Sequence, residues 1–314
     1  MTTAVSSDVG ANQRLSDYAA RVVARRTEKL AYFVERASRK PSEDVIHKLR
    51  VAARRLGSAL DAFEEHFPSS GLAKVAKQTK HLRSAAGVVR DHDIALTLAA
   101  EAGLEISDKS KTRIERGRDE ASKELRRRLE GLREKSPGTA WTRMLHLAGN
   151  GRADAVGPTA ASYAAALLPR MANEFFEAGR DAAAPAATIE DLHAFRIFGK
   201  RFRYTLEIFA PCYGNDLQNA LRLLRSLQDT LGMINDCEIA VKILTKAVGR
   251  SQREQVETLL SQRQAALIEN FRSHWNETFA AEGECLTWMQ MLARPAFAPA
   301  SETRDNSLEQ PAAS

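Results

Sequence analysis

The sequence predicts an all-α protein made from two copies of a four-helix unit. Three observations carry that reading. Aromatic residues are only 6% of the chain and glycine and proline are sparse, 17 and 10 among 314 residues, a balance that suits helices better than strands. Apolar residues recur at helical spacing over long stretches. Finally, one basic helix is written in each half, first as His47-Lys48-Leu49-Arg50-Val51-Ala52-Ala53-Arg54-Arg55-Leu56 and then as His193-Ala194-Phe195-Arg196-Ile197-Phe198-Gly199-Lys200-Arg201-Phe202-Arg203-Tyr204.

Taken in order, a helical pattern over 14–38 stops before Pro41, and a second over 42–66 stops at Pro68-Ser69-Ser70-Gly71. A third over 71–101 stops near Gly103, and a fourth covers 108–134. The second set covers 159–182, 188–210, 215–247 and 251–281. The stretch 149–158, bearing Gly149, Gly151, Gly157 and Pro158, reads as the hinge between them. The first repeat is thus 14–148 and the second 159–294, while the polar stretches 1–13 and 295–314 read as disordered tails. A nearly constant shift also aligns Tyr18 with Tyr163, Arg25 with Arg170, Lys77 with Arg222, Lys80 with Arg225, Gly87 with Gly232, Asp91 with Asp236 and Asp93 with Glu238. Trp141 finds its counterpart in Trp288. An internal duplication is the simplest explanation.

In each basic helix a His, an Arg, and an Arg or Lys stand at i, i+3 and i+7, which at about 100° per residue places them on one face. Val45, Leu49, Leu56, Leu60 and Phe63, matched by Phe195, Phe202, Leu206 and Phe209, fall on the other face and are expected in the core. A formal net charge of +6 and a pI near 9.3 favour anionic partners: nucleic acid, acidic membrane or polyphosphorylated compounds. Cys212, Cys237 and Cys285 show no CxxC spacing, which suits a reduced, cytoplasmic protein. The start of the chain lacks the pattern of a signal peptide, and no apolar run has the length of a membrane span.

The paired His-x-x-Arg-x-x-x-Arg/Lys-Arg helices, together with Arg90-Asp91-His92-Asp93-Ile94 and Asn235-Asp236-Cys237-Glu238-Ile239, resemble the CHAD family, the conserved-histidine α-helical domain, over 14–294. The resemblance implies two pseudo-symmetric four-helix bundles around a basic central groove or channel that binds inorganic polyphosphate. It also implies a place on polyphosphate granules and no catalysis; granule-associated proteins are candidate partners, and no cofactor or metal is expected from the residues themselves. One departure from the family pattern is Gly57, which aligns with Arg203 where another Arg is usual.

The chemistry of the residues fits that ligand. A flexible chain of phosphoryl groups calls for rows of donors. Arg50, Arg54, Arg55, Arg196, Arg201 and Arg203 offer forked, charge-assisted hydrogen bonds, whereas Lys77, Lys80 and Lys200 act as point charges. Arg222 and Arg225 repeat Lys77 and Lys80, His47 and His193 donate when protonated, and Arg21, Arg25 and Arg170 are further candidates. Asp91, Asp93, Asp236 and Glu238 read as ion-pair partners that orient guanidinium groups, ahead of metal ligands. Tyr18, Tyr163, Trp141 and Trp288 read as core, and Arg126-Arg127-Arg128 as a solvated face.

Three rival readings stand beside this one. A nucleic-acid or general polyanion binder fits the charge but has no recognised motif and no aromatic platform among the cations. A metal-dependent phosphohydrolase has the His92-Asp93 dipeptide, yet His92 aligns with Cys237 and so stands outside the repeat. Metal chelation by His47 and His193 meets repulsion from the cations around each.

Overall fold

The structure, a computed structural model, describes residues 11–67, 69–133, 141 and 157–296. Among the described residues are nine α-helices and no strand: α1 (Leu15–Arg39), α2 (Glu43–Ala62), α3 (Ser69–Glu101), α4 (Asp108–Arg133), α5 (Ala160–Ala183), α6 (Ile189–Phe209), α7 (Leu217–Ala247), α8 (Arg250–Thr278) and α9 (Glu284–Leu292). The all-helical expectation holds. Single 3-10 turns, Glu64–His66 and Ala210–Cys212, follow α2 and α6.

Local chemistry accounts for the helix ends. Ser42 caps α2 by accepting a hydrogen bond from the Val45 amide at 3.3 Å, and Glu43 and Asp44 follow in the first turn, where the helix dipole favours acids. Thr159 caps α5 through the Ser162 amide at 3.1 Å. Thr188 caps α6 in a reciprocal box, since Asp191 accepts from the Thr188 amide at 2.8 Å while its own amide donates back to the Thr188 hydroxyl at 3.2 Å. Gly103, at φ 65°, lets the chain leave α3 in a left-handed turn.

Several boundaries differ from the sequence reading: α2 closes at Ala62, ahead of the anticipated 66, which falls in a 3-10 turn, α7 opens at Leu217 instead of 215, and α8 closes at Thr278 instead of 281. Helix α3 starts at Ser69, two residues before the anticipated 71, because a serine and a glycine are tolerated in a first turn. Helix α9 was not anticipated; its nine residues are too few for periodicity to show, and it begins after Gly283 at φ 83°. At the other end Ala11 is fully buried and Gln13 accepts a hydrogen bond from the Ala160 amide at 2.9 Å, so the packed structure begins ahead of residue 14. Residues 1–10, 149–156 and 297–314, which hold most of the two anticipated tails and the hinge, lie outside the described residues.

Helix α2 packs between α1 and α3, and α4 closes against α1 and α3. In the second half α6 packs between α5 and α7, α8 lies along α7, and α9 lies against α5. The halves meet through α3 on α7 and α2 on α6, and the starts of α1 and α5 are joined by an isolated bridge between Arg14 and Thr159. The main core runs through both halves. Tyr18 stacks on Phe209 at 5.9 Å between ring centres, and Phe63 meets the same ring edge-on at 5.7 Å. The apolar rows of α2 and α6 supply this core as anticipated, with Leu49, Leu56, Leu60, Phe63, Phe202, Leu206 and Phe209 fully buried. A second cluster, including Leu98, Ile114, Leu244 and Leu260, ties α3 and α4 to α7 and α8. Since α2 and α6 bury one face each and pack together, their opposite faces open into a shared space.

A cationic cleft as the candidate functional site

That space is a cleft of about 960 Å³. Helix α2 contributes His47, Arg50 and Arg54, and α6 contributes His193, Arg196, Lys200, Arg203 and Tyr204. Arg90 and Asp91 enter from α3, and Gln228, Asn235, Asp236 and Lys242 from α7. Seven of the anticipated residues are therefore brought together from positions far apart in the chain.

The α6–α7 wall is organised by two amides. The Asn235 side-chain oxygen accepts from Arg196 Nη2 at 2.6 Å and lies 3.1 Å from His193 Nδ1; since that oxygen only accepts, His193 Nδ1 carries the hydrogen and Nε2 is left free. Gln228 accepts from Arg203 Nε at 2.7 Å and donates to the Gly199 carbonyl at 2.7 Å. Arg203 also pairs with Glu207 and lies over the Tyr204 ring at 4.4 Å. On the opposite wall Arg90 pairs with Glu43. The Nε atoms of Arg54 and Arg196 are buried without an acceptor among the described residues.

Burial and crowding set the electrostatics. Lys200 is pushed down to about 7, first by burial and then by Arg196 and Arg54. Burial lowers Arg50 and Arg196 as well, and it lowers His47 with help from Arg90, Arg54 and Arg50. Asp91 and Asp236 are raised, again mainly by burial; Arg50 pulls against the rise at Asp91, and a hydrogen bond from Asn235, then Arg196, does so at Asp236. Among the described residues neither carboxylate forms the ion pair that the sequence reading expects; each acts only through its charge, offsetting part of the repulsion on Arg50 and Arg196, while Glu190, Asp229 and Glu238 also share the lining. A cluster of desolvated cations with incomplete compensation is a poor place for a metal and a good one for a multivalent anion.

The other anticipated residues lie outside the cleft lining. Arg55 and Arg201 follow Arg54 and Lys200 in sequence, but one residue turns a helix by about 100° and carries them off the face. Arg55 reaches Glu207 at 3.2 Å, and Arg201 lies near Asp61. Lys77 and Lys80 lie N-terminal to Arg90 on α3, Lys80 about 15 Å away along the axis by helical rise. Arg222 and Arg225 stand similarly early on α7, with Arg222 donating to Asn219 at 2.6 Å. Arg21 covers the Tyr18 ring at 5.4 Å, Arg170 donates to the Ala166 carbonyl at 3.2 Å, and Arg25 projects from α1 outside the cleft.

Arg90, Lys242, Gln228 and Asn235 are cleft residues that were not among the candidates. Arg90 and Asn235 are the first residues of the two matching acidic segments, which was the signal available; Gln228 and Lys242 carry none. His92 turns away from the cleft and lies against α4, where a Cβ added at Gly117 would come within 2.6 Å of its Nε2, and Asp93 pairs with Arg118 at 2.6 Å. The His92-Asp93 dipeptide therefore faces α4. Trp141 and Trp288 are core residues, as anticipated, hydrogen-bonded to Gln78 at 2.6 Å and Glu284 at 2.9 Å.

Fold and site together define an all-helical protein with histidines, arginines and a lysine from two paired helices facing one cleft. The chain belongs to the CHAD domain family, whose model matches residues 21–245. Its fold is similar to the crystal structure of the CHAD domain from the plant Ricinus communis, with 19% identity, a TM-score of 0.59, and 90% of this chain and 93% of that chain covered. It is also similar to PptA from Streptomyces chartreusis, with 12% identity, a TM-score of 0.60, and 86% of this chain and 100% of that chain covered. At those identities the likeness is one of fold. No curated protein matches the chain. Among the described residues no helix is long and apolar enough to cross a membrane.

Proposed function

We propose that the cleft binds inorganic polyphosphate and does not process it. The observation that carries this reading is the convergence of Arg50 and Arg54 from α2 with Arg196, Lys200 and Arg203 from α6 on one cleft. Its volume is that of roughly thirty waters, room for a run of phosphoryl groups. A phosphate chain threading it replaces the hydration that Lys200, Arg50 and Arg196 have lost with charge-assisted hydrogen bonds. His193 Nε2, left free by the Asn235 contact, donates a further bond once protonated.

The finer architecture belongs to the same proposal. The repeated basic helices and the equivalent places of α2 and α6, each packed between its two neighbours, support a duplicated four-helix unit around a basic channel. Family membership supports a cytoplasmic role at polyphosphate granules, holding the chain there or bringing a partner to it.

The test is direct titration of the protein with long-chain polyphosphate over a salt series, with RNA and orthophosphate as competitors and released phosphate monitored. Tight binding that weakens steeply with salt, resists RNA at equal phosphate concentration and releases no phosphate is expected. Easy displacement by RNA identifies a general polyanion or nucleic-acid binder instead, and phosphate release identifies a hydrolase.

A further inference from the structure

Inorganic polyphosphate has no apolar part, yet the cleft has an apolar ledge. Ile197 on α6 and Met233 on α7 are 56% and 43% exposed, and both line the cleft. They belong to one short section of the α6–α7 seam, since the Arg196–Asn235 hydrogen bond lies on one side of it and the Gln228–Gly199 hydrogen bond on the other. In the same section Gly232 also lines the cleft, and a Cβ built there meets no atom of the described residues within 4 Å. A floor without a side chain beside two aliphatic groups suits a planar ring, and apolar walls with a few convergent polar groups are the usual make-up of small-molecule sites. Lys200 stands three residues beyond Ile197, on the same side of α6.

We propose that the cleft also takes nucleoside oligophosphates, with the phosphates among Arg196, Lys200 and Arg203 and the base over Gly232 against Ile197 and Met233. This rests on the phosphate-binding reading of the same cleft and deepens it by giving the ligand an organic end. Charge alone favours the inorganic compound, because tripolyphosphate carries at least as much negative charge as ATP. A preference for ATP therefore reports on the ledge.

The experiment is calorimetric titration of the full chain with ATP and with inorganic tripolyphosphate, at one salt concentration and without divalent metal. Covering two aliphatic side chains with a ring is expected to make ATP bind about tenfold tighter. The double variant Ile197→Ser, Met233→Ser brings ATP to the level of tripolyphosphate and moves tripolyphosphate itself by less than about twofold, these side chains having no hydrogen bond to give a phosphate. Gly232→Leu fills the ledge from a helical position with free space, adds no charge and reproduces the loss; circular dichroism confirms that each variant is folded. Tripolyphosphate binding as tightly as ATP to the unaltered chain, or both ligands falling equally in the variants, overturns the ledge while leaving the phosphate site in place. Failure of long-chain polyphosphate, tripolyphosphate and ATP alike overturns both readings.

Discussion

The two walls of the cleft carry the same motif and hold it differently. On the α6–α7 wall Asn235 fixes Arg196 and His193, while Gln228 and Glu207 fix Arg203. On the α2–α3 wall, among the described residues, no hydrogen bond holds the side chain of Arg50 or Arg54, and Arg50 reaches to within 3.9 Å of where a Cβ on Gly87 would stand. The packing behind the walls differs likewise. Phe175 at the back of α6 meets Phe195, Phe202, Trp275, Phe279 and Trp288, whereas the row behind Arg50 and Arg54 on α2 is aliphatic, with Leu49, Leu56 and Leu60, and its one aromatic, Phe63, lies at the far end of the helix. Aromatic contacts have preferred geometries and make a stiff support. One wall is therefore organised in advance of a ligand, and the other supplies charge that adapts to it.

The largest effect is expected from removing one cation on each wall. Arg50→Gln with Arg196→Gln deletes two charge-assisted contacts of about 1.5–3 kcal/mol each, a loss of at least roughly a hundredfold in polyphosphate affinity. Helicity and the melting transition are expected to stay close to those of the parent, and equal loss of folding and binding would mark the two arginines as structural. Next comes the organisation of the α6–α7 wall. Gln228→Ala frees Arg203 and strips the Gly199 carbonyl of its partner, which is expected to lower affinity about tenfold and stability by about 1 kcal/mol. Truncating Lys242, whose partner Glu238 lies on its own helix, is expected to cost less, and the reverse order in a binding titration would refute pre-organisation as the difference.

Acidity tests the crowded centre. Lys200 sits at about 7 in the free protein because burial, then Arg196 and Arg54, disfavour its charge. An anion favours the ammonium, so the complex takes up a proton that free protein lacks above about pH 7, and affinity falls as pH rises through that value. His47, held below its ordinary value, adds uptake on the acid side, and binding strengthens further as pH falls towards about 6. Lys200→Arg is expected to flatten the alkaline limb. An affinity independent of pH between about 6 and 8 would contradict the assignment. The smallest effect is the most pointed. Gly57→Arg gives the first basic helix the cation that Arg203 gives the second; among the described residues a Cβ at Gly57 meets nothing within 4 Å, so the helix has room for it. A gain of about twofold to threefold in affinity is expected, with helix stability raised by up to about 1 kcal/mol.

Most of the fold was legible from local signals. Eight helices follow from apolar periodicity and from punctuation at Pro41, Gly103 and the 149–158 stretch, and the burial of Leu49, Leu56, Phe202 and Phe209 follows from the same periodicity. Helix α9 escaped because nine residues carry too little periodicity. In the site, His47, Arg50, Arg54, His193, Arg196 and Lys200 were legible because an i, i+3, i+7 row shares a face however the helix is packed. Arg55 and Arg201 were over-read for the same reason, since adjacency in sequence is not adjacency on a helix.

Local spacing alone thus determines the eight longer helices, and which face of α2 and α6 is apolar and which is basic. These properties depend only on residues within a turn or two of each other. Tertiary packing decided that the basic faces of α2 and α6 meet in one cleft, that Lys77 and Arg222 stand away from it, and that Asn235 and Gln228 hold the arginines. It also placed Ile197, Gly232 and Met233 together. Each of these depends on where two helices cross and in what register, and that is set by the fit of the whole core, to which no single segment holds the information.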